Sequence, residues 1–565
     1  METREDLGSI VSLLPLLIRS SNVFWPSQAV ELLKTLSKGP AFSNVNTGET
    51  LFVAISDLRG LIPTLPANRL APFSHEGYAL FFDELMSRAE SAKWFGEVVP
   101  ALANLLLRFP SLLEAHYQHA DDLFHDAKIG RRLGLRLLPS QKAGMVLLSQ
   151  ELIGALLACA FFCLFPVADR AANCLPMINF DNMFESLYES YSEAQENKIK
   201  CIMHYFERIC CCLPKGFVSF ERKVLPFEEL PLHNTYPKPE FWSKSDTSLC
   251  PFEVHSSGFI EDHANGAVEV DFANKYLGGG ALNRGCVQEE IRFMISPELI
   301  AGMLFLPCME DNEAIEVVGA ERFSNYIGYA SSFRFSGDYV DNKDVDNFKR
   351  RKTRIIAIDA LSSPGMRQYK LKYLLRETNK AFCGFFILAK SNSYGKPSQM
   401  DGIQGNQHSK GGRKVNCIPR INFLLNEAPS TFANMEMNEV STNGGSSYTN
   451  EKGQTCLDQE DDIGVATGNW GCGAFRGDPQ LKTIIQWLAA SQALRPFISY
   501  YKFGIEALED LDQVSKWILA HEWTVGELWN MLVEYSSQRS SEETKISFFR
   551  WLIPSLIDHH EGLSV

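Results

Sequence analysis

Two hydrophobic patterns divide this chain. From its start to about residue 222, apolar side chains recur three and four positions apart, as in LFFDELMSRAESAKWFGEVVPALANLLLRF (80–109). That is the spacing of helices with one buried face. LIGALLACAFFCLF (152–165) is apolar on all sides; its 14 residues, closed by Glu151 and Pro166, are too few to span a bilayer and predict a buried core helix. Past the proline- and aromatic-rich VLPFEELPLHNTYPKPEFW (224–242) the period changes. AVEVDF (267–272) alternates, and TRIIAIDAL (353–361), AFCGFFIL (381–388) and IGVATGNW (463–470) are short runs with strand composition. Helical stretches separate them: SPELIAGMLFL, with Ser296 as N-cap and Pro297 in the first turn, and LKTIIQWLAASQAL (481–494). TVGELWNMLVEY (524–535) opens with Thr524 and Glu527 at capping-box spacing.

Strands alternating with helices predict an α/β layered domain after a helical one. The segment 391–462, with GIQGNQHSKGGRK and STNGGSSYTNEKGQ, has too little apolar surface to order itself and is expected to be a disordered insertion. The expected organisation is a helical accessory domain over 1–222, a layered domain over 223–390, the insertion over 391–462, and the rest of the layered domain with C-terminal helices over 463–565.

Composition narrows the chemistry. The 54 basic and 68 acidic side chains leave a net charge of −14, which disfavours charge-driven binding to DNA or to anionic membranes. The start, METREDLGSIVSLL, carries acids where a secretory leader needs lysine or arginine, so secretion is not expected. The 14 cysteines include no CxxC pair. Cys159, Cys163 and the cluster Cys210, Cys211, Cys212 lie in apolar helical surroundings and are expected as buried free thiols. The basic run KRRKTR (349–354) directly precedes a predicted strand and reads as a solvated loop, with a nuclear import signal as the alternative.

Two glycine-rich stretches hold the candidate chemistry. In YLGGGALNRGCVQEEIRF (276–293), Gly278, Gly279 and Gly280 lie just ahead of Gln288, Glu289 and Glu290. Glycine lets a ligand approach the main chain. Glutamates opening a helix also favour its positive dipole end, so a plain turn and a helix-start acid pair would account for either feature alone. Adjacent helical residues diverge by about 100°, which predicts different tasks for Glu289 and Glu290. The second stretch, TGNWGCGAFRGD (467–478), sits between a predicted strand and a predicted helix, where α/β proteins present N–H groups and a helix N-terminus to a diphosphate. Its G-x-G-x-x-x-G spacing at Gly471, Gly473 and Gly477 is not the dinucleotide fingerprint, and no GxxxxGK[ST], GxSxG or HExxH occurs. Tyr326, Tyr329, Tyr501 and Phe503 offer aromatic surface near strand ends.

Taken together, EVDFANKYLGGGALNRGCVQEEIRF, NYIGYASSFRF and TGNWGCGAFRGD resemble the poly(ADP-ribose) glycohydrolase family. LSQELIGALLACAFFCLFP and TVGELWNMLVEY extend the likeness over most of the chain, apart from the first hundred or so residues and the polar insertion. The resemblance implies a macrodomain, a mixed sheet sandwiched by helices, preceded by an all-helical accessory domain. It implies cleavage of ribose–ribose links in poly(ADP-ribose) chains on modified proteins, releasing ADP-ribose, without a metal or other cofactor. Carried over by position, Glu290 would be the acid/base and Glu289 would bind hydroxyls of the ribose being cleaved. Asp271 and Asn274 would shape the ribose pocket, with Gly278, Gly279, Gly280 and Gln288 beside it. Asn469, Gly471, Cys472, Gly473, Ala474 and Phe475 would hold the diphosphate. Ile260, Glu261, Tyr329 and Phe503, with Tyr326, would form the adenine side. The expected protein is a monomer of nucleus and cytoplasm without direct DNA or membrane contact. The alternative is a non-catalytic reader of ADP-ribose, although a reader has no need of Glu290.

Overall fold

The computed structural model describes residues 4–19, 22–65, 70–125, 133–226, 236–263, 266–386 and 463–554. The expected insertion, 391–462, lies outside them. At the centre is an eight-stranded mixed sheet of β1 (Gly144–Ser149), β2 (Phe217–Val224), β3 (Phe252–His255), β4 (Ala267–Asp271), β5 (Glu313–Val318), β6 (Arg354–Ala357), β7 (Gly464–Gly468) and β8 (Ile498–Tyr501). Their spatial order is β1-β2-β5-β6-β4-β7-β8-β3. The run β6-β4-β7-β8-β3 is parallel, and β1, β2 and β5 add an antiparallel flank.

Each face of the sheet belongs to a different core. Val146, Leu148, Val218, Phe220, Val317 and Ile355 face the helices of residues 1–222. These include α1 (Val99–His125), α2 (Gln150–Phe161), α3 (Asp181–Glu189) and α4 (Glu193–Cys211). The same core takes in Ile291, Phe293 and Met294 of α5 (Gln288–Ile295). Val268, Val270, Ile356, Val465 and Ile498 face the other way, against α6 (Leu371–Phe385), α7 (Pro479–Gln492) and α8 (Val525–Ser540). Alternation along each strand thus places Ile355 in one core and Ile356 in the other.

The helix from 150 is buried at every position from Leu152 to Phe161, as a core helix requires. The Thr524–Glu527 capping box forms, with both reciprocal bonds present. Residues 1–222 are mainly helical but also lend β1 and β2 to the sheet. The accessory segment is therefore joined to the layered one by main-chain hydrogen bonds.

Three local expectations change. AFCGFF is the end of α6, not a strand, because the run from Leu371 packs one apolar face across the sheet with Gly384 against Ile356 and Ile358. Pro297–Leu304 is a 3₁₀ helix without a Ser296 side-chain cap; that hydroxyl instead accepts from Arg292 Nη1 at 2.6 Å. Cys159 and Cys163 are buried, but Cys211 and Cys212 are exposed at the C-terminal end of α4, where the helix leaves the core. The basic run 349–354 is engaged by the fold: Arg350 pairs with Asp346, Arg351 with Glu321 and Arg354 with Glu316.

Candidate active site

Parallel strands leave a crevice beyond their carboxyl ends, where successive loops diverge. Here β4 delivers Asp271, β7 leads into Asn469–Gly477, β8 into Phe503, and the segment after β3 into Ile260 and Glu261. The sequence candidates, scattered over 244 positions from Ile260 to Phe503, converge at this edge because the parallel register aligns the strand ends.

The loop from Phe272 to Val287 folds back over the N-terminus of α5. Gln288 Oε1 accepts from Phe272 N at 2.8 Å and its amide donates to Val270 O at 3.1 Å, pinning the helix start to the end of β4. Glu289 takes the N–H groups of Gly278 at 2.7 Å and Asn274 at 2.8 Å. Glu290 takes the N–H of Gly280 at 2.9 Å and, reaching back along its own helix, that of Val287 at 2.9 Å. Asn274 Oδ1 accepts from Tyr276 N at 3.0 Å and so holds the entry to the loop. The two adjacent glutamates diverge, yet they grip amides on either side of one residue, Gly279.

That geometry explains the glycines. Gly279 has φ +49°, and a Cβ there would lie 2.5 Å from Glu289 Oε2 and 2.8 Å from Glu290 Oε1. Gly285, which the sequence reading did not single out, is equally confined: its Cβ would meet Glu290 Oε1 at 2.6 Å. It was visible in the quoted stretch, but nothing local shows that the chain returns beneath Glu290.

Asp271, Glu289 and Glu290 form a buried group of carboxyls. Burial and the Glu290 charge push Asp271 up to about 8, and its Oδ1 has no partner among the described residues. Burial and the charges of Asp271 and Glu290 push Glu289 well above the usual carboxylate range, against the two amide bonds that favour its charge. Asp271 and Glu289 therefore hold their protons at neutral pH. Glu290 is the most accessible at 7% exposure, against 3% for Glu289 and 1% for Asp271.

The second loop is built differently. Gly471 has φ +74° and its carbonyl accepts from Gly477 N at 2.8 Å, closing a tight ring. No acceptor among the described residues takes the N–H groups of Gly473, Ala474 or Phe475. A Cβ on Gly473 would meet nothing within 4 Å. The N-terminus of α7 is closed off: Asp478 Oδ1 caps Gln480 N and Leu481 N at 2.9 and 3.1 Å. The open anion donors are therefore loop amides, not the helix end that strand–loop–helix order predicts. Cys472 N bonds to Asn469 O at 3.0 Å, and Asn469 is fixed by Tyr500 and by Lys502 O. Beneath lies Trp470, buried, with Lys482 Nζ 4.2 Å from its ring centroid and paired to Glu377. Sequence reasoning missed this support, since a lysine inside LKTIIQWL reads as a solvent-facing position.

The aromatic candidates separate into two groups. Tyr326 is buried and its hydroxyl donates to Glu261, which ties the short hairpin Ser324–Ile327/Arg334–Asp338 to the segment after β3. Ile260 is buried beside Ala466 and Tyr501. Tyr329 and Phe503 are about half exposed. Phe503, at φ +47°, lies against Gly468 at the end of β7. Burial raises the Tyr329 hydroxyl above its usual range, and the nearby Glu290 charge adds to that rise.

Comparison with known proteins agrees with this architecture. Residues 239–510 match the family model for poly(ADP-ribose) glycohydrolase with macro domain fold, and residues 86–222 match that for the family's helical domain. Over 563 residues, all of both chains, the sequence is 58% identical to poly(ADP-ribose) glycohydrolase 1 of Arabidopsis thaliana. It is 52% identical over 557 residues, 98% of this chain and 100% of the other, to the probable poly(ADP-ribose) glycohydrolase 2 of the same organism. A Caenorhabditis elegans poly(ADP-ribose) glycohydrolase 1 is 29% identical over 59% of this chain and 35% of its own length. With two glycine loops facing one crevice, a carboxyl cluster on the first and full-length similarity of this order, the chain belongs to the poly(ADP-ribose) glycohydrolase family.

Proposed function

We propose that the protein hydrolyses ribose–ribose glycosidic bonds of poly(ADP-ribose), releasing ADP-ribose, with Glu290 as the single acid/base. The observation that carries this reading is the seat of Glu290: it is the most accessible member of a buried carboxyl cluster, fixed by the N–H groups of Gly280 and Val287. As the anomeric carbon–oxygen bond breaks, Glu290 gives its proton to the departing ribose oxygen and an oxocarbenium-like sugar develops. Water then adds to that carbon, and the Glu290 carboxylate accepts its proton. A diphosphate taken by the free amides of Gly473, Ala474 and Phe475 would supply negative charge to stabilise the positive sugar. Glu289, anchored by Asn274 and Gly278, orients the ribose hydroxyls, and Phe503 and Tyr329 supply aromatic surface for the nucleoside.

The test is release of free ADP-ribose from poly(ADP-ribose), compared between wild type and Glu290→Asn. Turnover falls by about 10³-fold or more with ADP-ribose affinity retained. Equal binding without release by either protein establishes a reader instead. We also place the protein in nucleus and cytoplasm as a monomer that does not contact DNA, in keeping with its net charge of −14. A fluorescent fusion, sedimentation and a DNA gel shift check these points; a shifted duplex at physiological salt contradicts the last.

A further inference from the structure

Lys198 lies on α4, in the helical half, and is fully buried. Buried lysines ordinarily sit against a carboxylate, because an uncompensated charge is costly to desolvate. No described carboxylate forms an ion pair with this one. Its ammonium instead donates to main-chain carbonyls of the catalytic loop: Asn283 O and Gly285 O at 2.5 Å each, and Gly280 O at 3.5 Å. Three donors thus meet three carbonyls within a six-residue stretch.

That stretch has Glu290 on its other side. Gly280 offers its carbonyl to Lys198 and its N–H to Glu290 Oε1 at 2.9 Å. Gly285 gives its carbonyl to Lys198, while its Cα side is the floor under the Glu290 carboxylate. The loop closes on itself through Asn283 N and Gly285 N to Gly280 O, at 2.9 and 3.1 Å. Two surface contacts add to the anchorage from α3: Ser186 Oγ to Asn283 Oδ1 at 2.9 Å, and Arg284 Nη2 to Glu189 Oε2 at 2.6 Å. These two are partly or fully exposed, so the buried ammonium is the dominant tie.

We infer that Lys198 is a positioning residue for glycosidic cleavage: from the helical half, it holds the Gly280–Gly285 loop in the shape that seats the Glu290 carboxyl. The inference rests on Glu290 being the acid/base. It gives the helical half a part in the reaction, since without that ammonium the carbonyls of Asn283 and Gly285 lose their donor, and the loop that presents the Gly280 amide to Glu290 loses its buried tie to α4. The lysine also carries the positive charge behind the carboxyl. Cys286 and Glu290 are the titratable groups that face Lys198, and Asp271, Glu289, Cys286 and Tyr329 face Glu290 from β4, α5, the loop and the hairpin. Burial brings Lys198 down to about 8, so the clamp loosens as pH rises past that point.

The experiment compares wild type, Lys198→Met, Lys198→Arg and Glu290→Asn. Single-turnover release of ADP-ribose from poly(ADP-ribose) is followed between about pH 5 and pH 10, with ADP-ribose affinity by calorimetry. Lys198→Met loses about 10²-fold in turnover at pH 7, while ADP-ribose affinity stays within about 3-fold. Lys198→Arg, which keeps charge and donors at every pH, recovers turnover to within about 5-fold and moves the alkaline limb upward by about one pH unit. Unchanged turnover in Lys198→Met overturns the inference, as does a parallel loss of turnover and affinity with an unshifted pH profile. Should the methionine variant not fold, the arginine profile decides alone: an alkaline limb in the wild-type place overturns it. Activity in Glu290→Asn sinks the acid/base assignment; an inactive Glu290→Asn beside a fully active Lys198→Met sinks the lysine alone.

Discussion

The two glycine loops at the crevice have similar composition and opposite uses. In the first, Gly278–Gly285, main-chain N–H groups are consumed by protein carboxylates, and the missing side chains make room for Glu289 and Glu290. In the second, Asn469–Gly477, the ring is closed by Gly471 and Gly477, while the amides of Gly473 to Phe475 meet no acceptor among the described residues. One loop binds its own acids; the other is left to bind a foreign anion. Glycine content therefore identifies close approach to the main chain without saying what approaches.

The contrast can be broken most severely at Glu290. Glu290→Asn removes the proton donor and costs about 4 kcal/mol of transition-state stabilisation, read as turnover at retained ADP-ribose affinity. Next is Gly285→Ala, whose Cβ has no room beneath the carboxyl. It is expected to cost about 1–3 kcal/mol in strain and to lower turnover about 10–100-fold. Gly473→Ala, the matching change in the other loop, meets nothing in the protein. Its thermal midpoint should stay within about 1 °C of wild type, while ADP-ribose affinity falls about 5-fold as the methyl enters anion space. Equal effects of the two alanines on stability would remove the distinction between the loops.

A subtler test uses pH. Asp271 is held up to about 8 by burial and the Glu290 charge, against an ordinary value of 3.8. A carboxyl raised on folding contributes fully at low pH and loses its contribution as pH climbs to the folded value. Asp271→Asn carries no such loss. The variant should therefore gain on wild type as pH rises from about 4 to about 8, and the gain should be flat above that. Thermal midpoints across this range measure it; a constant difference means that Asp271 is ionised throughout in the folded protein.

Several features were legible because they are local. Helical spacing before residue 222, the apolar run 152–165, the Thr524 cap, three of the short β runs and the GGG…QEE juxtaposition all involve residues within about fifteen positions of each other. The Glu289 and Glu290 bonds to Gly278 and Gly280 span only 11 and 10 residues, so their closeness could be read from the chain. AFCGFF misled because Phe and Cys suit a strand or a buried helix equally, and only the packing of α6 against Ile356 and Ile358 settles which.

What the sequence by itself determined is thus the periodicity of the elements and the family-specific acids. Tertiary structure alone decided that β1 and β2 cross from the helical half into the sheet, that strand ends bring Asp271, Asn469 and Phe503 to one edge, and that Lys198 reaches the carbonyls of residues 280–285. A lysine amid KIKCIMHYF looks like any polar position on a helix. Its role depends on what lies opposite, about 85 residues along the chain, and a period of 3.6 fixes the face of a helix but not its neighbour.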